Sequence, residues 1–266
     1  MGAKIVGRTL RLSPARRFIG DLVYFAKAVP SVPVQRPMQL GPLAAARNAC
    51  PSRLSWVAIF LKAYGLTARR IPELRRAYLD WPYARLYEHP ESQASVAVER
   101  EIDGEPAVLF GHIRTPELKT LLELEGHVQR FKNEPVQNFG IFRRALFVSK
   151  FPRFLRRFLW WANLCWSGPM RARRFGTFGV SVYASLGAAS LHPLSPLTTA
   201  LNYSPIDDRG IMDVRIIYDH RVMDGATIAR ALALLEEVLL TEVLEEINRS
   251  VGVTPPLAAT PMRYSA

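Results

Sequence analysis

A change of hydrophobic period near the C-terminus constrains this chain more than any other feature. From Ile211 to Tyr218 the sequence reads IMDVRIIY, and Val214, Ile216 and Tyr218 fall on one face of an extended strand. Further on, Ile228, Leu232, Leu235 and Leu239 recur at helical spacing instead. Between the two patterns lies Asp219-His220-Arg221-Val222-Met223-Asp224-Gly225, which crowds two carboxylates, an arginine and an imidazole into one turn. A strand that feeds a helix through so short a connection points to an α/β protein. Rigid elements on both sides also fix the imidazole in space, as a general base requires.

Composition limits what surrounds this unit. At 266 residues, 49% hydrophobic and 22% charged, the chain can bury a sizeable core. No internal repeat or Gly/Ser-rich linker divides it, so residues 1–250 read as one domain and 251–266, with three prolines, as a loose tail. The formal charge of +12 implies affinity for something anionic, a nucleic acid, a lipid head group or the phosphates of a cofactor, or else is a basic balance with no specific partner. Cys50 and Cys165 match no disulfide or zinc spacing, so no metal is expected and a reducing, cytoplasmic setting fits. Residues 1–17 hold no apolar segment suited to a secretory signal. No run of about 18 uncharged apolar residues exists to span a membrane.

Local signals supply the other elements. Ser13-Pro14 opens a helix carrying Phe18, Leu22, Phe25 and Val29, which Pro30 ends. Residues 30–42, with four prolines, read as an extended connection or an edge strand. A second helix is expected from Ser55 to about Arg70, followed by a loop. A hairpin over Ser95–His112 turns at Asp103-Gly104. A third helix spans Pro116 to Lys132, and Leu197–Tyr203 is a short strand. Gly176–Tyr183 reads as a strand with Ser181 near its centre.

Between Pro135 and Ile206 there is no Asp or Glu, yet basic residues are dense. Within this region, residues 135–175 form a basic aromatic insert. Inside Lys150–Trp166, Phe151, Phe154, Leu155, Phe158, Ala162 and Cys165 share one helical face, and Arg153, Arg156, Arg157 and Asn163 the other. Such a helix can lie in a membrane interface, giving residues 141–174 a peripheral membrane role. The alternative is a helix that docks on the protein's own core with its arginines solvated.

The turn at 219–225 fills every fixed position of Asp-His-Arg-x-x-Asp-Gly. In this it resembles the catalytic domain of the dihydrolipoyl acyltransferases of 2-oxoacid dehydrogenase complexes. Further segments resemble that family in the same order: Ser13-x-x-Arg16-Arg17-x-Ile19-Gly20, then Leu61-Lys62-Ala63 with Ile71-Pro72-Glu73-Leu74. The paired stretches Ser95–Val98 and Glu105–Val108 follow, and then Gly176–Ser181. The likeness covers most of residues 10–245. It implies the chloramphenicol-acetyltransferase-like fold, a mixed sheet flanked by helices in a single domain. It also implies acyl transfer from coenzyme A, and a homotrimer or larger assembly of trimers with the active-site channel between subunits. Three departures stand out. No lipoyl or subunit-binding segment precedes the catalytic part, the stretch Glu134–Arg174 is longer and more basic, and the loop between Ser181 and His220 is shorter. They leave three acceptors open: a small or lipidic molecule for a stand-alone enzyme, a lipoyl domain on another chain, or none in a catalytically silent, membrane-docking relative.

Acyl transfer from a thioester needs a base for the acceptor, a donor for the oxyanion and exclusion of water. His220, one of five histidines, alone has flanking carboxylates at a strand–helix junction. It is the candidate base for an attacking thiol, hydroxyl or amine. His89, His112, His127 and His192 read as surface or loop residues. By resemblance, Ser181 is the residue whose hydroxyl donates to the oxyanion. A competing Ser-His-Asp hydrolase is disfavoured by the lack of a Gly-x-Ser-x-Gly elbow. Asp224 stands where an aspartate caps a helix, and the resemblance implies that it pairs with an arginine of the first helix, Arg16 or else Arg17. Asp219, Arg221 and Gly225 support the turn. Arg171, Arg173 and Arg174 are candidates for the coenzyme A phosphates, and equally for an anionic membrane. Nucleic acid ranks last as a partner, because the acyltransferase likeness accounts for the chain without it.

Overall fold

Ser13 begins the first helix as its position suggests. Its side chain accepts from the Arg16 backbone N–H, Pro14 takes the first helical position, and α1 spans Pro14–Ala26. The computed structural model describes residues 7–181, 187–188 and 190–251. After α1 the proline-rich stretch forms β1 (Ser31–Gln39), an edge strand on which Pro33 and Pro37 are tolerated. Its last residues lead into a helix not expected from the sequence, α2 (Gly41–Ala49), with Pro42 in its first turn and Leu43 in the core. Helix α3 (Trp56–Arg70), capped by Ser55, is central: Ile59, Phe60, Ala63 and Tyr64 have no exposed surface.

A small hairpin, β2 (Arg76–Leu79) with β3 (Arg85–Glu88), stands where a loop is expected. Strands of four residues are too short to show a period. The long hairpin β4 (Gln93–Ile102) and β5 (Glu105–Arg114) turns through Asp103 at φ 53° and Gly104 at φ 78°. Two successive left-handed residues are what a two-residue hairpin turn requires. Helix α4 covers Leu121–Asn133 and starts later than Pro116. Thr120 and Glu123 form a reciprocal capping box that sets its first turn, and Pro116–Leu118 is a separate 3-10 turn. Leu118 and Leu122 are consequently exposed.

The acid-free insert folds as α5 (Gly140–Val148), α6 (Arg153–Trp161), a π-helical turn over Ala162–Trp166, and α7 (Gly168–Phe175). Helix α6 is turned opposite to the core-docking alternative. Phe154 and Phe158 are 76% and 56% exposed, while Arg156 and Trp160 are buried. Arg156 donates to both carboxylate oxygens of Asp21 on α1, at 2.6 Å and 3.3 Å. Trp160 stacks on Phe25 and packs against Phe18 and Phe175. Periodicity defines two faces, but a fork-like pair with a distant carboxylate decides which one turns inward.

Gly176 follows α7 at φ 92°, and a β-carbon there would stand 2.8 Å from the Gln93 carbonyl, so only glycine suits this approach to the sheet. Next comes β6 (Phe178–Val180), so Ser181 lies just past the strand instead of near its centre; residues 182 and 183 lie outside the described residues. The chain closes with β7 (Thr199–Tyr203), β8 (Ile211–Asp219), α8 (Gly225–Val238), a π-helical turn and α9 (Leu244–Val251). The expected tail falls beyond the described residues, apart from Val251.

The strands make one six-stranded mixed sheet in the order β1-β8-β7-β6-β4-β5, parallel at β7/β6 and β6/β4 and antiparallel elsewhere. One face carries Val96, Val98, Val180, Leu201, Val214 and Ile216 into the main core, which α3, α4 and α8 cover. On the other face, β5 and β4 are covered by α1, α5 and α7. The molecule is thus a single-domain α/β protein whose mixed sheet is flanked by helices. Among the described residues, no helix is long and apolar enough to cross a membrane.

Candidate active site

The frame of the 219–225 turn is an ion pair. Asp219, at the end of β8, has no exposed surface. Its carboxylate accepts from the Arg221 backbone N–H at 3.0 Å, from Arg221 Nε at 2.9 Å and from Arg221 Nη2 at 2.7 Å. The Arg221 guanidinium in turn lies 4.3 Å from the centre of the Tyr78 ring. Gly225 opens α8 beside Tyr218, whose hydroxyl lies at van der Waals distance from where a β-carbon would stand. With Asp219 and Arg221 locked together, His220 projects outward. Its side chain is half exposed, its ring lies 5.6 Å from that of Tyr218, and its backbone N–H donates to the Pro30 carbonyl.

Asp224 departs from both expected roles. It occupies the N-cap position of α8, and its carbonyl accepts from Thr227 and Ile228, but its side chain makes no capping bond. That side chain is 84% exposed, with Oδ1 3.7 Å from His220 Nδ1, too far for a hydrogen bond. Nor does it pair with Arg16 or Arg17 within the chain. Helix α1 packs beside β5, α5 and α6, whereas Asp224 follows β8 near the other edge of the sheet. The aspartate–arginine contact that α1 does make is Asp21 with Arg156.

Ser181 sits at the other end of the sheet's register. Its backbone N–H donates to the Leu201 carbonyl, and its own carbonyl accepts from Asn202 Nδ2. Extending the β6/β7 pairing places it level with Asn202, which pairs with Arg215 on β8. His220 lies five residues beyond Arg215. At about 3.3 Å per residue and 4.8 Å per strand, His220 and Ser181 are roughly 19 Å apart. One chain does not bring them together. His112 is no substitute. Ser95 pairs with both His112 and Gly179, which puts His112 roughly 12 Å from Ser181.

Two histidines expected at the surface belong to the interior. His89 is buried, and burial, reinforced by the charges of Arg171 and Arg75, pushes it down to about 4. His112 falls on the face of β5 that the insert covers, and burial pushes it down to about 4 as well. Both are neutral at pH 7. His192, by contrast, is near the surface, its Nε2 2.8 Å from Ser31 Oγ.

The three arginines proposed for phosphate separate. Arg171 is buried and donates to the carbonyls of Tyr78, Leu164 and Pro196 at 3.2, 3.1 and 2.8 Å. Burial pushes its guanidinium down to about 10, against the pull of the Asp219 carboxylate. It ties β2 to the insert and to the loop before β7, spending three of its N–H donors inside the protein. Arg173 is exposed. Arg174 is half-buried, and its Nη1 has no hydrogen-bond partner among the described residues. Both border a cavity of about 650 Å3 between the sheet and the insert, which Ser181 also lines. Asp21, Arg156 and Tyr78 are the supporting residues that sequence reasoning missed, because each acts through a contact distant in sequence. Among the described residues, no group of three or more His, Cys, Asp or Glu is placed to hold a metal.

No protein-family model and no curated protein matches the chain. Solved structures do. A probable dihydrolipoamide acetyltransferase from Listeria monocytogenes superposes with a TM-score of 0.65 at 17% identity, over 91% of this chain and 95% of its own. The dihydrolipoamide acetyltransferase of Azotobacter vinelandii gives 0.62 at 17%, over 90% and 94%. A subunit from the cubic core of the pyruvate dehydrogenase multienzyme complex gives 0.61 at 18%, over 90% and 94%. The chain has the fold of these catalytic cores.

Proposed function

We propose that this protein is a coenzyme A-dependent acyltransferase with His220 as general base. The observation that carries the reading is the complete Asp219–Gly225 turn, held by the buried Asp219–Arg221 pair, on the fold of the dihydrolipoamide acetyltransferases. The mechanism of the Azotobacter vinelandii enzyme has been investigated at a serine, a histidine and an asparagine four residues after the histidine. His220 and Asp224 have that spacing, with aspartate in place of asparagine, and Ser181 supplies the serine. Half exposure leaves the His220 imidazole accessible to an acceptor's proton. The Ser181 hydroxyl donates to the oxyanion as the thioester carbonyl is attacked.

The roughly 19 Å between these groups favours an active site assembled between chains, His220 of one subunit facing Ser181 of a neighbour. A homotrimer is the assembly we propose, and one of the structural neighbours comes from a cubic core. Arg173 and Arg174 are the arginines left to meet the phosphates of coenzyme A. Incubation with acetyl-CoA and an acceptor thiol, following free coenzyme A, tests the reading. His220→Ala should lower turnover by about 10²–10⁴, and a variant as fast as wild type would sink the assignment. Adding a free lipoyl domain distinguishes a dehydrogenase-complex acceptor from a small or lipidic one.

Residues 141–174 make a peripheral membrane contact in this reading. The observation that favours it is the outward face of α6, where Phe154 and Phe158 stand one turn apart beside Arg153. Flotation with anionic vesicles should recover wild type and not Phe154→Ser/Phe158→Ser. Wild-type protein that stays at the bottom of the gradient would refute the contact.

A further inference from the structure

We infer that the cavity between the sheet and the insert holds a long, unbranched acyl chain, the group that the proposed thioester substrate carries; this rests on the acyltransferase reading above. The cavity exists because of what forms its floor. On the sheet face opposite the main core, the positions across β4, β6 and β7 are Ser95, Ala97, Gly179, Ser181 and Ala200. None can fill the space between a sheet and a helix layer packed roughly 10 Å above it. The walls are apolar: Phe18, Ile19 and Leu22 of α1 on one side, Ile141, Ala145 and Val148 of α5 on the other. Trp160 and Phe175 of the insert close it further.

Most of the charge is kept to the rim: Arg16, Glu99, Arg144 and Arg173 border the cavity but are exposed, and only Arg174, half-buried, reaches further in, with Asn163 beside it in the lining. Inside, His112 faces the space as a neutral ring. Apart from Arg174, Asn163 and His112 the enclosed lining is mainly apolar, so a hydrocarbon finds extensive apolar contact. Size agrees. A methylene fills about the volume of a water molecule, roughly 30 Å3, so a chain of about 12–18 carbons takes on the order of 350–550 Å3 of the 650 Å3 present. Ser181 lines the same space, so a chain seated in it brings its carbonyl end toward the proposed oxyanion donor. The roof is held in place by the Arg156–Asp21 pair, which fastens α6 to the α1 wall.

The experiment uses the full chain and two probes. The first is cis-parinaric acid, a fluorescent 18-carbon fatty acid without coenzyme A. The second is a titration series of coenzyme A, acetyl-CoA, octanoyl-CoA and lauroyl-CoA below their micellar concentrations. Cis-parinaric fluorescence should rise on binding, and lauroyl-CoA should bind at least tenfold tighter than acetyl-CoA, since each buried methylene is worth roughly a fourfold gain. Ala97→Phe, from the floor, and Ala145→Phe, from the wall, should each abolish both effects and leave acetyl-CoA affinity unchanged. Equal affinity across the series, or a chain-length gain that survives both substitutions, overturns the inference. The two readings can fail separately. Acetyl transfer without chain-length dependence leaves the acyltransferase and removes the chamber, whereas chain binding without transfer of any acyl group does the reverse.

Discussion

Two inactive variants should rescue each other. His220→Ala removes the proposed base and Ser181→Ala the oxyanion donor, each lowering turnover by about 10²–10³ or more. The sheet register sets these residues roughly 19 Å apart within one chain, and a thioester carbonyl with its attacking acceptor spans a few ångströms. A working site therefore takes its histidine and its serine from different chains. In a closed ring of three that contains both variants, one interface always joins an intact histidine to an intact serine. Mixed trimers should thus run at about one third of the wild-type rate. The assay is coenzyme A release by trimers coexpressed with two affinity tags and purified through both. Pairing His220→Ala with the double variant His220→Ala/Ser181→Ala is the control, and should stay at background. Mixed trimers of the two single variants that also stay at background would show that the site lies within one chain, and the register argument would fail.

Three further outcomes follow from the supporting contacts. Asp21→Ala leaves the buried Arg156 guanidinium without a counter-charge and should cost about 3–5 kcal/mol in urea unfolding, with much of it regained in Asp21→Ala/Arg156→Met. Arg171→Met removes donors from three carbonyls and should lower stability by at least about 2 kcal/mol, whereas Arg173→Ala should weaken acyl-CoA binding with an unchanged unfolding midpoint. His89 and His112 titrate near 4 in the folded chain against an ordinary value of roughly 6.5. The unfolded chain takes up protons that the folded chain refuses, so stability is full above pH 6.5 and falls as pH drops toward 4, by roughly 3 kcal/mol for each histidine. Unfolding midpoints across that range test this, and His89→Gln should flatten the curve.

What was legible in the sequence is what local chemistry dictates. Ser13-Pro14 marks the start of α1, Asp103-Gly104 the β4–β5 turn, and the shift of period after Tyr218 the passage from β8 to α8. The motif residues of the turn were legible too, and with them the kind of fold. Elements whose form depends on remote partners were not. The prolines at 30–42 mask the start of α2, and β2 and β3 are too short to show alternation. The pattern of α6 shows two faces but not their direction, because Asp21 lies 135 residues away. Arg171 looked like a surface cation among its neighbours, and its three carbonyl partners come from three separate segments. The distance between Ser181 and His220 is a property of strand order, which no local signal carries.

The absence of acid between Pro135 and Ile206 has a consequence for how the molecule is made. Lacking carboxylates of its own, the insert draws on both sides: Asp21 from the start of the chain pairs with Arg156, and the field of Asp219, near its end, favours the charge on Arg171. During synthesis from the N-terminus, Asp21 is already in place when α6 emerges, so the roof can dock on α1 at once. Arg171 must wait for β8, some fifty residues later. Until then the Arg171 guanidinium lacks the carboxylate field that favours its charge, and the arrival of the last strand supplies it as the sheet closes.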